Sequence, residues 1–322
     1  MNVLILFDGI RCGRIALERA NIEVDNYYSS EIDETAIKIA DYNYPQDIKN
    51  KLGDVTKIDN DVLKQLPRID LLIGGSPCQG FSRNGNMLNF DDLRSKLFFE
   101  YIRILNWIKE NNNANVKFLL ENVEMKKEWK EVIDGYLEVD GVLINSKLLS
   151  GQNRPRLYWT NITNNLILPK DKSIKLLDIL EDYIDTENYI EYENLLIDHK
   201  INKKSHNLIN NINNEIHIKQ ATKQGYIIAN QGDGVNLSFP TSKTRRGRVI
   251  KGKSATLDRG CDICIYYNNI IRQATILECE RLQTLPDDYT NIDLVDIKSR
   301  KSAIGNGWTI DVISYILNFL NK

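Results

Sequence analysis

A single thiol stands in the stretch GGSPCQGFS, Cys78 within Gly74 to Ser82, directly after the apolar run Ile69, Asp70, Leu71, Leu72, Ile73. Apolar runs closed by turn residues read as buried strands, and the C-terminal ends of such strands are where α/β proteins place ligands and reactive groups. Most free cysteines fill small buried spaces. A thiol on a glycine- and proline-bearing turn is instead a candidate nucleophile, because even the few per cent of thiolate present near neutral pH is intrinsically very reactive. A second set of residues points to a ligand. In FDGIRCG, Phe7 to Gly13, Gly9 lets a ligand approach the backbone where a strand passes into a helix. Glu31 ends the next strand, where a carboxylate can accept two hydrogen bonds from a ribose diol. Asp54, in GDVT, ends or follows a third strand. Three such strand ends in a row suggest a nucleoside ligand.

These residues need a frame, and the first half of the chain supplies one. Val3 to Phe7 reads as a strand, Ile15, Leu17 and Ala20 open a helix, NYYSSE reads as a second strand, and ETAIKIADYN as a helix that stops before Pro45. After IDLLIG, the residues Leu93, Leu97, Tyr101, Leu105 and Ile108 recur at helical spacing. KFLLEN, LINSKLL and RLYWTNI follow as strands. Strands alternating with helices predict a parallel sheet covered by helices. From about Asn164 the character changes. Residues 182–236 are rich in Asn, Ile, Lys and Asp with weak periodicity, which predicts a smaller, irregular domain. ATILECERLQTLP then reads as a short helix stopped by Pro286, and TIDVISYILNFL as a last helix that packs on the first domain's sheet. The smaller domain is therefore expected as an insertion.

Bulk composition narrows the class. The 322 residues, 42% hydrophobic and 27% charged, suit a folded protein, and no apolar run reaches the length of a membrane span. MNVLILFDGI has no basic leader, and five cysteines are an odd number, so a reducing, cytoplasmic location is expected. Cys261 and Cys264 form a lone CxxC without a second pair at ligand spacing, so no metal site is expected. Net charge is −2, yet KTRRGRVIKGK, Lys243 to Lys253, carries six cations and no anion. Such a run is either a solvated face or a polyanion site.

In order along the chain, FDGIRCG, SEID, GDVT, GGSPCQGFS, ENV (Glu121 to Val123), QNRPRLYW (Gln152 to Trp159), RQATILECERLQTLP (Arg272 to Pro286) and IGNGWT (Ile304 to Thr309) resemble the cytosine-C5 DNA methyltransferase family. The FDGI opening and the late GNGW look most like the de novo animal branch and its bacterial and phage relatives. The resemblance implies a Rossmann-like methyltransferase sheet with helices on both faces over residues 1–163 and 270–322. A target-recognition domain over 164–269 would complete the molecule. It implies S-adenosylmethionine as cofactor, leaving as S-adenosylhomocysteine, with no metal. Phe7, Asp8, Gly9, Ile10 and Cys12 would bind it, with Glu31 on the ribose, Ile32 against the adenine and Asp33 beside them. Asp54 would take the adenine amino group, with Val55 alongside. Ser76, Pro77 and Leu97 would line the methionine end, which Asn306, Gly307 and Trp308 would close. Cys12 departs from the smaller or hydroxylated residue usual in relatives.

The chemistry explains these residue types. Cytosine C5 is too poor a nucleophile to take a methyl group unaided, and a thiolate adding to C6 turns C5 into an enamine carbon. Cys78 would be that thiolate. Glu121 would protonate N3 and read the exocyclic amine, while Arg154 and Arg156 supply fixed cations, one at cytosine O2 and one in the framework. A stacked base is out of reach from both faces, so it must flip out. SRNGNMLNFDD, with Ser82, Arg83 and Asn84, is read as the loop that closes on it. In this setting Lys243, Arg245, Arg246, Arg248 and Lys251 become candidate DNA contacts. The expected partner is duplex DNA, bound by a monomer, with a restriction endonuclease encoded nearby if the enzyme serves restriction-modification rather than acting as an orphan or phage enzyme. The alternatives are a tRNA cytosine-C5 methyltransferase and a catalytically silent DNA-binding relative. The silent reading requires losses at residues that this chain retains.

Overall fold

A computed structural model describes residues 1–77, 93–182, 187–192, 194–244 and 246–321. Its first half begins with β1 (Asn2–Leu6), α1 (Cys12–Arg19), β2 (Asn26–Ser30), α2 (Glu34–Asn43), α3 (Asn60–Lys64) and β3 (Leu71–Gly74). There follow α4 (Leu93–Asn111), β4 (Lys117–Val123), α5 (Lys127–Leu137), β5 (Val142–Asn145) and β6 (Pro155–Thr160). The six strands form one sheet in the order β2-β1-β3-β4-β6-β5. β1 to β4 run parallel, and β6 pairs antiparallel with both β4 and β5. The Asp54 segment adds no named strand beyond β2; it touches the sheet edge through one parallel bridge between Ser29 and Lys51.

Alternate residues of each strand face opposite sides, and both sides are apolar, which is why these strands read as continuous hydrophobic runs. Val3, Ile5, Leu71, Ile73 and Leu119 pack into one core with Ile15, Ala16 and Leu17 of α1. Leu4, Leu6, Leu72, Phe118 and Leu120 pack into a second with Phe98, Tyr101 and Leu105 of α4 and Ile133 of α5. The sheet is covered by helices on both faces.

The remaining strands are three to five residues long, too short for a periodic signal to stand out in sequence. β7 (Tyr189–Tyr192) and β8 (Leu195–Asp198) precede the single-turn α6 (Lys203–His206). β9 (Ile209–Ile212), β10 (Glu215–Lys219) and β11 (Tyr226–Ala229) form a three-stranded antiparallel sheet. β12 (Asp233–Asn236), β13 (Arg248–Ile250), β14 (Cys264–Tyr267) and β15 (Ile270–Gln273) join β7 and β8 in the order β13-β12-β14-β15-β8-β7. Leu195, Ile197, Ile209, Ile216, Ile218 and Ile271 share the core of this part. The second six-stranded sheet runs on to Gln273, four residues past position 269.

The chain then returns to the first sheet through α7 (Ile276–Leu282), α8 (Ile297–Asn306) and α9 (Ile310–Leu317). Thr275 caps α7 in a capping box with Glu278, and buried Glu278 also takes both guanidinium nitrogens of Arg272 at 2.7 Å. α9 buries Ile310, Val312, Ile313, Ile316 and Leu317 in the same core as α1 and β1. The last helix thus closes the domain that the first strand opened. No helix among the described residues is long and apolar enough to cross a membrane.

Candidate active site

The strand order reverses between β1 and β3, and ligands of open α/β sheets sit beyond the carboxyl ends of strands at such a point. A cleft of about 970 Å³ occupies that position. One end of it is a set of oxygen acceptors. Glu31, just past β2, accepts the Gly9 N–H at 2.7 Å on one oxygen and the Ile32 and Asp33 N–H groups at 2.7 and 2.8 Å on the other. Asp54 accepts the backbone N–H and hydroxyl of Thr56 on Oδ1 alone. Those bonds hold its carboxyl below the usual range, so it stays an ionised acceptor with Oδ2 left for a ligand's amino group. Ile32 is 70% exposed at this end, an apolar side chain offered as a flat surface. Acceptors for hydroxyls, an acceptor for an amine and an apolar wall together suit a nucleoside.

Phe7, Gly9, Asp33, Val55, Ser76, Pro77, Leu97, Asn306, Gly307 and Trp308 line the same cleft, so the first and last segments of the chain meet across it. Asp8, Ile10 and Cys12 lie buried behind its wall. The loop after β1 gets there through left-handed residues at Phe7, Gly9 and Arg11, of which only Gly9 takes that conformation without strain. Burial pushes the Asp8 carboxyl up to about 7, against the lowering influence of the Tyr27 hydroxyl, which donates to it at 2.6 Å, and of Arg11. Burial likewise pushes the Cys12 thiol up to about 12, which makes it an inert packing group. Behind the same wall, Arg11 is buried between the rings of Tyr27 and Tyr44 and faces Asp8, Asp41 and Asp47 at 3.5 to 3.7 Å.

The other end of the cleft holds Glu121, Arg154 and Arg156. Glu121 comes from the end of β4 and Arg156 from β6 opposite it, with Arg156 Nε 3.1 Å from Glu121 Oε1. Trp308 Nε1 donates to Glu121 Oε2 at 3.1 Å. Arg154 turns the other way. It donates to the carbonyls of Leu257, Gly307 and Gly305 at 2.8, 2.9 and 3.3 Å, tying three separate chain segments together. Asn122 fixes the turn after β3 by donating to Ser76 Oγ at 3.1 Å. Cys78, Ser82, Arg83, Asn84 and Arg245 lie outside the described residues. A further wall, Thr256 to Arg259, comes from the segment just after the cationic run. Nothing in its spacing marks it, because only the return of the chain through Gln152 and Ser254 brings it to the cleft.

The cationic run divides. Lys243 and Arg248 are exposed and Arg246 is half-buried. Lys251 pairs with Asp233 at 2.8 Å and donates to the Ile228 carbonyl. Lys253 is drawn into the framework, donating to the carbonyls of Lys147, Ser150 and Ile174.

Comparison with known proteins gives a consistent picture. The profile of the C-5 cytosine-specific DNA methylase family matches residues 1–322. The chain is 37% identical over 195 residues to the orphan methyltransferase M.SPRI of Bacillus phage SPR, a match covering 56% of this chain and 42% of that protein. It is 30% identical over 333 residues to the type II methyltransferase M1.ScrFI of Lactococcus lactis subsp. cremoris, covering 97% of this chain and 75% of the relative. The match therefore spans less than half the length of the phage relative. In three dimensions it is similar to the methyltransferase EhMeth of Entamoeba histolytica, with a TM-score of 0.67 at 17% identity over 99% of this chain and 97% of the other. That likeness speaks to the fold.

Proposed function

The chain belongs to the C-5 cytosine-specific DNA methylase family, and from that membership we propose that it methylates C5 of a flipped-out cytosine within a specific duplex DNA sequence, as an orphan, phage or restriction-modification enzyme. When bound, S-adenosylmethionine supplies an electrophilic methyl group. Glu31 would hold the ribose hydroxyls, Asp54 Oδ2 the adenine amine and Ile32 the adenine face, while Ser76, Pro77, Leu97, Asn306 and Trp308 would hold the methionine end. Cys78, one residue past Pro77, would add as thiolate to C6, its lone pair forming the S–C6 bond while the C5=C6 π pair makes C5 the nucleophile; C5 would then take the methyl group, with S-adenosylhomocysteine leaving on the electron pair of the broken S–CH₃ bond. Glu121 gives N3 a proton as the ring gains charge, and Arg156 beside it faces O2. Loss of the C5 proton to solvent base would reform the C5=C6 bond and expel the sulfur as thiolate, while N3 returns its proton to Glu121. Arg154 acts on the frame, holding Leu257 and the segment of Gly305 and Gly307 in place. Residues 1–163 and 270–322 carry the chemistry and 164–269 read the sequence, with Lys243, Arg245, Arg246 and Arg248 on the phosphates and bases.

What supports this most is one arrangement: a nucleoside-binding end and a Glu121–Arg156 pair in a single cleft, on either side of the turn that leads to Cys78. The test is to express the protein in a host without cytosine methylation and to read the genomic DNA base by base for 5-methylcytosine, with Cys78→Ala alongside. Methylation at one short motif, absent in Cys78→Ala, is the expected result. Unmethylated DNA from cells whose purified protein binds S-adenosylmethionine would remove DNA as the substrate and turn attention to the tRNA pool.

A further inference from the structure

Glu121 is held on both oxygens by donors from different parts of the chain, Arg156 Nε on Oε1 and Trp308 Nε1 on Oε2, each at 3.1 Å. An indole nitrogen has a hydrogen to give and no lone pair, so it fixes an oxygen without ever taking its proton. The contact is buried: Glu121 and Trp308 are each only 9% exposed. Room for it comes from Gly75, where a methyl group would stand 2.7 Å from Trp308 Nε1 and 3.0 Å from Glu121 Oε2. Gly75 is not among the residues with a left-handed backbone. Its missing side chain therefore serves the space and not the chain path.

Trp308 is itself clamped from both sides. The Gly307 carbonyl accepts from Arg154 at 2.9 Å and from Gln283 at 3.0 Å. Thr309 Oγ1 donates to Gln283 Oε1 at 3.0 Å and accepts from Ser146 Oγ at 2.9 Å. A carboxyl at a strand end turns easily about its last torsion. Here that torsion is opposed by a donor whose two chain neighbours are anchored, and the same ring walls the cleft beside Asn306.

We infer that Trp308 is a positioning residue for the proton transfer: its N–H sets the plane of the Glu121 carboxyl, and the same ring forms part of the cofactor's wall. This rests on the methyltransferase reading above. A bound cofactor excludes water from the pair and strengthens the hydrogen bond, so Glu121 is held in its working orientation when a methyl donor is in place.

Trp308→Phe keeps an aromatic wall and removes the N–H. Cofactor affinity, measured by calorimetry, should stay close to wild type, while the single-turnover rate at saturating cofactor and DNA falls about tenfold, the effect of one buried hydrogen bond to a charged group. In a Glu121→Ala background, followed over hours with a tritiated methyl donor, the same change should cost less than about twofold, because residues that act through one another are not additive. Gly75→Ala, which pushes the pair apart from the other side, should slow the step and lose that effect in the Glu121→Ala background in the same way, and it stands in if Trp308→Phe folds poorly. A loss confined to cofactor affinity, with full rate at saturation, overturns the inference. So does a tenfold loss that persists undiminished without Glu121. A wild-type protein that binds cofactor and methylates no DNA overturns the parent reading and this one with it, and the wild-type assay alone identifies that case.

Discussion

Two arginines one residue apart show how little residue type says about role. Arg154 and Arg156 both sit in QNRPRLYW, both line the cleft, and both are fixed cations, yet only Arg156 lies within β6, Arg154 just precedes it, and the two guanidiniums reach different partners. Arg156 meets the Glu121 carboxylate, whereas buried Arg154 satisfies backbone carbonyls of Leu257, Gly305 and Gly307. Removing Arg154 takes a buried donor from the carbonyls of Leu257 and Gly305, and leaves Gly307 held by Gln283 alone, so its first cost is stability. Arg154→Ala should therefore lower stability by about 3 kcal/mol in denaturant unfolding. Arg156→Ala, at the edge of the cleft, should leave stability within about 1 kcal/mol and slow single-turnover methyl transfer by about a hundredfold, the loss seen when one charge-stabilising group is removed. Equal stability losses in the two variants would show that the division drawn from their partners is wrong. Sequence alone could name the pair and the two roles; only the register of β4 against β6 tells which arginine faces Glu121.

At the scale of elements, the cationic run is the instructive case. Six cations in eleven residues read as one feature in sequence, but the fold spends them differently. Lys251 and Lys253 are tied to Asp233 and to main-chain carbonyls, while Lys243, Arg246 and Arg248 make no ion pair among the described residues. Only unpaired cations release counterions from DNA phosphates on binding. Neutralising Lys243, Arg246 and Arg248 together should weaken DNA binding and reduce the salt slope by about three, whereas Lys253→Ala should lower the melting temperature and leave the slope alone. An unchanged slope in the triple variant would make the run a solvated face. The same contrast explains what was legible. The strands of the first sheet announce themselves because both faces are buried, and ETAIKIADYN is α2 residue for residue. α5 and α8 do not stand out in the sequence: the first carries Gly135 in its last turn, and the second is largely polar, burying only Ala303, Ile304 and Gly305. The strands after Asn164 were hidden by their length, since three to five residues hold too few alternations to separate a strand from a loop.

Across the whole molecule, the cleft joins the two ends of the chain. One end of it is built from residues 7–55, its far wall by Asn306 to Trp308, and the frame between them is held by α9 packing with α1 and by Arg19 pairing with Asp311 at 2.7 Å. A ligand that touches both ends binds only the folded chain, so it must stabilise the whole molecule by mass action. S-adenosylmethionine at about a hundredfold excess over its dissociation constant adds about 2.7 kcal/mol, which for a chain of this size raises the melting temperature by several degrees. Asp54 offers a way to separate binding from folding. As the cap of a short 3-10 turn it needs only Oδ1, which accepts from Thr56, and Asn can supply the same acceptor. Asp54→Asn should therefore melt with the wild type in the absence of cofactor. With cofactor its shift should shrink, because an amide N–H₂ now faces the adenine amine where an ionised oxygen stood. Calorimetric melts of both proteins with and without S-adenosylmethionine decide the matter. A full-sized shift in Asp54→Asn would place the adenine away from Asp54, and a wild-type melt that the cofactor leaves unmoved would remove the nucleoside from this cleft altogether.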